Sequence, residues 1–117
     1  MSEVDRGISF TEAEIEEERQ SEFVRMKDRI DKTLPEIENC YMSDLGTHEA
    51  LHAAYMLSDM VSQFLLEHPV VVLDQTAWKH AHDAHTALFN LYQRVGNIQS
   101  DVMDKRQEEF DNLLLKS

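Results

Sequence analysis

Apolar residues recur at steps of three and four over most of the chain, the spacing of helices with one buried face. The first stripe reads Phe23, Met26, Ile30, Leu34 and Ile37. Thr11 and Glu14 precede it at capping-box spacing, with Phe10 and Ile15 at the staple positions on either side. Glu12, Glu14, Glu16 and Glu17 crowd the first turns, where the helix dipole favours negative charge. Pro35 then removes a backbone donor, and Thr33 with Glu36 repeats the capping-box spacing, so a fresh start is expected there. The short helix so begun, over about 34–45, is expected to end at Gly46 as a left-handed cap.

Thr47 is placed to cap the next helix, which the pattern carries to about Glu67, ahead of Pro69. Leu51, Ala54, Tyr55, Val61, Phe64 and Leu65 line one side of it, and Leu57 and Met60 widen the apolar surface. Asp74 opens a further helix in which Trp78, Ala81, His85, Leu88, Tyr92 and Val95 follow a strict three-four alternation. Gly96-Asn97 is expected to close it, with a last helix from about Ser100 carrying Val102, Met103, Phe110, Leu113 and Leu114. The connection from His68 to Leu73 is short, so the helices it joins are expected to be antiparallel neighbours. Its three valines have no second β-run to pair with. The fold class expected is all-α, a small bundle of four to five helices around a central antiparallel helical hairpin over 48–95. Residues 1–10 read as a flexible arm and 11–117 as a single helical domain.

Composition supports helices. Only 3 Gly and 2 Pro occur in 117 residues, too few for the turns of a sandwich or barrel. The formal charge of −12, from 23 acidic and 11 basic residues, opposes binding to nucleic acid or to an anionic membrane, where clustered Lys and Arg are needed. Residues 1–50 hold 14 of the acids and 6 of the bases, so the charge sits mainly in the first half. The longest apolar run, Pro69 to Leu73, is too short to span a bilayer. The N-terminus carries acids where a signal peptide has a basic flank and an apolar stretch, and Cys40 is the lone cysteine. A cytoplasmic location is expected.

Two histidine groups carry candidate chemistry. His48-Glu49-Ala50-Leu51-His52 matches the H-E-x-x-H pattern, in which histidines one turn apart ligate zinc and the Glu activates bound water. The extension that supplies a third ligand needs Gly and then His downstream, where Tyr55 and Ser58 stand. The alternative, a carboxylate about 20 residues on, falls at Val70 to Leu73. His82 and His85, three apart within His80 to His85, form the second group. In a hairpin folded near residue 71, His85 lies about 7 Å along the axis from the level of His52, with a further ~8–10 Å between helices. That is too far for one compact site. His85 also falls on the apolar stripe, where a hydrogen-bonded core histidine is the ordinary role.

No catalytic residue and no cofactor are therefore assigned, and His48, His52, His82 and His85 stand as metal candidates without a complete ligand set. Cys40 lacks a basic flank to activate it, no Gly-rich phosphate loop occurs, and Glu12 to Glu18 lack the spacing of a calcium loop. The expectation is a non-catalytic acidic helical protein acting through protein–protein contacts, as a regulator, an inhibitor or a DNA mimic whose carboxylates imitate phosphates. The interaction residues expected are Glu12, Glu16, Glu17, Phe23, Met26 and Ile30 on the first helix, with another protein or a second copy of the chain as partner. The contrasting expectation is a metal-dependent hydrolase using His48, Glu49 and His52.

Overall fold

The computed structural model describes residues 8–116, and the first seven residues of the expected arm lie outside them. The protein is all-helical, with no strand among the described residues. Helices α1 (Glu12–Ile30), α2 (Leu34–Tyr41), α3 (Asp44–Val61), α4 (Pro69–Val72) and α5 (Gln75–Lys116) follow one another, with a π-helical turn at Ser62–Leu66. No helix among the described residues is long and apolar enough to cross a membrane. By its contacts the chain divides into two units, Met1–Asn39 and Cys40–Ser117.

In the first unit α1 begins where its sequence marks it. Thr11 Oγ1 accepts the Glu14 N–H at 3.2 Å, and Glu14 Oε1 accepts the Thr11 N–H at 3.1 Å. The helix ends at Asp31, whose φ of 53° is left-handed and whose N–H donates to the Lys27 carbonyl at 3.0 Å. A non-glycine residue tolerates this region when, as with Asp, its side chain is short and polar. Pro35 occupies the first turn of α2, where a missing N–H costs nothing. Thr33 and Glu36 reproduce the same reciprocal cap there, at 3.4 and 3.3 Å.

The second unit departs from the expected boundaries twice. Gly46 does not end the short helix, and Thr47 does not begin the next. Ser43 caps α3 instead, its Oγ accepting the Gly46 N–H at 3.2 Å, so Gly46 lies in the first turn. Glycine is required there by crowding. A Cβ on residue 46 would stand 2.0 Å from the Tyr41 carbonyl oxygen. Thr47 is buried, and its hydroxyl donates to the Ser43 carbonyl at 2.7 Å. The second departure is α5, which runs unbroken through Gly96-Asn97 to Lys116.

The physical reason is the seam between α3 and α5. Trp78 Nε1 donates to the Leu66 carbonyl at 3.3 Å, the Tyr55 and Tyr92 rings lie 6.2 Å apart, and Arg106 pairs with Asp44. Leu51 Cδ1 stands 3.8 Å from where a Cβ on Gly96 would sit. Residue numbers rise along α5 as they fall along α3, so the two helices run antiparallel. The three-four alternation of α5 continues past Val95 as Gln99, Val102 and Arg106, all on the side that meets α3. That continuing contact offsets the roughly 1 kcal/mol that Gly costs inside a helix. Small residues let the backbones approach. Ala54 on α3 and Ala81 on α5 are the buried apolar residues of this pair, at 4% and 8% exposure.

The corner between the two helices is helical as well. His68 caps α4 through Nδ1, which accepts the Val70 N–H at 3.1 Å, and Pro69 fills the first helical position. Asp74 Oδ1 accepts the Ala77 N–H at 2.8 Å and opens α5 at its expected start.

Candidate functional site

The side chains singled out by sequence fall into separate places. His48, Glu49 and His52 share the exposed surface of the first turns of α3. Among the described residues, no three His, Cys, Asp or Glu side chains converge as metal ligands. His82 and His85 diverge: His82 stacks on Trp78 at 5.2 Å between ring centroids, while His85, half-buried, lines a groove beside the seam. Of the expected interaction residues, Glu12, Glu16 and Glu17 are exposed on α1, and Phe23, Met26 and Ile30 are half-buried along one stripe of it.

Local hydrogen bonding tunes the acids of the first unit. Arg19, and then Gln20, donate to the Glu16 carboxylate and hold its pKa down to about 2. Glu14 lies below the ordinary carboxylate value because the Thr11 backbone N–H and hydroxyl donate to it. Glu36 is lowered in the same way by the Thr33 hydroxyl and N–H. Arg25 pairs with Glu22 at 3.1 Å. All these groups are solvated, and pairs of this kind contribute little to stability.

The seam of α3 and α5 has two unlike edges. Along one, a groove enclosing about 260 Å³ is walled by Tyr55, Ser58, Asp59 and Ser62 on the α3 side. His85, Phe89 and Tyr92 close it from α5. The groove lies where α3 passes into its π-helical turn at Ser62, a local widening often found at functional sites. Asp59 Oδ2 accepts from the Gln63 amide at 2.9 Å. A sequence signal existed for half of this wall: Tyr55, Ser58, Asp59 and Ser62 are three or four apart, the spacing of one helix edge.

Along the other edge Leu57 on α3 and Phe64 in the π-helical turn stand exposed, and the periodicity of α5 places Ala84, Leu91 and Ile98 on one side of that helix. Leu57, Phe64 and Leu91 are 50%, 62% and 50% exposed. Farther along, Asp44, Met103, Arg106, Gln107 and Phe110 border a shallower hollow around the Asp44–Arg106 pair.

No family model, curated protein or solved structure matches the chain.

Proposed function

We propose that this chain is a non-catalytic interaction protein, and that its α3–α5 pair is the central hairpin of a helical bundle completed by a second copy. The observation that carries this is the apolar edge, where Leu57, Phe64 and Leu91 remain half-exposed or more beside a seam that buries little besides alanines. Two helices with one open apolar face reach a stable layer arrangement by meeting another such face. A two-fold pairing presents the same patch from each copy, so one sequence supplies both halves of the interface. The α1 stripe of Phe23, Met26 and Ile30, flanked by Glu12, Glu16 and Glu17, offers a second contact surface for a protein target of a regulator or inhibitor. Mimicry of DNA by α1 has less support, because Glu16 and Glu22 are already paired with Arg19 and Arg25 on the same helix. The metal-dependent hydrolase expected from His48, Glu49 and His52 gains no third ligand among the described residues.

Sedimentation equilibrium tests this. The wild-type chain is expected to be a dimer at about 100 µM, well above a Kd of about 1 µM typical of modest association. Leu57→Asp with Leu91→Asp is expected to give a monomer that keeps its helical circular dichroism. A wild-type monomer at that concentration overturns the assignment, and so does a dimer that survives both charges.

A further inference from the structure

We infer that the groove between Tyr55, Asp59, Phe89 and Tyr92 binds a small alkylated ammonium cation, a quaternary amine of the choline type. It lies on the opposite edge of the seam from the proposed dimer face and stands independently of it.

Three aromatic rings and one carboxylate meet in this groove, and no Lys or Arg lines it. Aromatic faces carry negative quadrupole density, so a cation within about 6 Å of several ring centroids is attracted without a full hydrogen-bond set. The Tyr55 and Tyr92 rings stand 6.2 Å apart and are inclined at 51°, two walls of an open cage. Phe89 lies one turn before Tyr92 on the same edge of α5. Asp59 supplies the counter-charge, and the Gln63 amide on Oδ2 fixes its carboxylate while Oδ1 has no partner among the described residues. The second unit as a whole holds 11 acidic and 5 basic residues, so the long-range field also favours a cation.

Volume and hydration narrow the class. At about 260 Å³ the groove is of a size that a small ion fills. A primary ammonium is compact and strongly hydrated and loses more on entering an aromatic wall than an alkylated one. The Ser58 and Ser62 hydroxyls, at the α3 side, suit a ligand with a hydroxyl tail. An anion is repelled by the Asp59 carboxylate and by the ring faces, and no Lys or Arg in the lining offsets that.

The experiment uses the full chain at pH 8. Choline is titrated to about 50 mM, which mostly saturates even a site with a Kd of about 10 mM. Saturable upfield shifts of the choline methyl protons, with matching shifts of the Tyr55, Phe89 and Tyr92 ring resonances, are expected. 3,3-Dimethylbutan-1-ol, the neutral isostere, is expected to bind about tenfold or more weakly, since it has the shape without the charge. Asp59→Asn keeps the Gln63 contact, and Tyr55→Leu keeps the apolar bulk at an exposed position. Each is expected to weaken choline about three- to tenfold while leaving circular dichroism and oligomeric state unchanged. Equal binding of the alcohol overturns the inference, as does an Asp59→Asn variant with wild-type affinity. An absence of saturable shifts at those three rings overturns it too.

Discussion

Helix α1 and the α3–α5 pair reach helical structure by different means. α1 has no buried residue, and its order comes from neighbours in sequence: the Thr11–Glu14 cap, the Glu16–Arg19 and Glu22–Arg25 pairs, and the left-handed stop at Asp31. A helix of 19 residues held this way is marginal by itself, since nucleation is costly and each local pair adds only tenths of a kcal/mol. The α3–α5 pair has contacts between residues 12 to more than 60 positions apart, from Trp78 with Leu66 to Arg106 with Asp44. There packing overrides local preference, and a Gly-Asn pair that favours a stop is carried through as helix. The two regions should therefore respond to different substitutions.

The largest effect is expected at Gly46. A Cβ there would meet the Tyr41 carbonyl oxygen and carbon at 2.0 and 2.8 Å, atoms that cannot swing aside as a side chain does. Gly46→Ala should cost about 2 to 3 kcal/mol, the scale of overpacking that forces a backbone shift. Urea denaturation followed by Trp78 fluorescence measures it. If the position were a mere helix interior, Ala would stabilise instead, and the close approach at the start of α3 would be refuted.

Gly96 offers the converse. An added Cβ would have Leu51 Cδ1 as its one near neighbour, at an ordinary contact distance of 3.8 Å, inside a continuous helix. Gly96→Ala should therefore stabilise the second unit by about 0.5 to 1 kcal/mol. Were the helix to close at this residue with Gly96 left-handed, the same change would be destabilising. The sign alone separates the two conformations, and the same urea midpoint reads it.

What could be read from sequence follows the same division. Reciprocal caps at Thr11–Glu14 and Thr33–Glu36, and the Asp74 start of α5, depend on residues within three positions, so their spacing reveals them. Thr47 reads as the cap and Gly46 as a stop because Ser43 and Thr47, four residues apart, compete as caps. Only the crowding by Tyr41 decides between them. The continuation of α5 was hidden because Gln99 and Arg106 occupy seam positions with polar side chains, which breaks an apolar count without breaking the contact. Of the groove, His85 was visible as a stripe histidine. That it shares a groove with Asp59 and the tyrosines depends on the register of α3 against α5, which no local pattern contains.

The smallest expected effect belongs to α1 and is read by acidification. Glu16 is held at about 2 by Arg19 and Gln20, and Glu14 is lowered by its cap to Thr11, from an ordinary value of 4.5. A carboxylate whose folded pKa is depressed stabilises the helix above its unfolded value, and that contribution fades as pH falls through the folded one. The helicity of residues 12–30, followed by backbone carbon shifts, should thus decline between pH 4.5 and about 2. Thr11→Ala removes the reciprocal cap and should cost this helix about 1 kcal/mol at neutral pH. It should also flatten the part of the acid response owed to Glu14 and leave the part owed to Glu16. An α1 whose helicity is indifferent both to Thr11→Ala and to acid would be held by something other than its neighbours in sequence, and the contrast with α3–α5 would collapse.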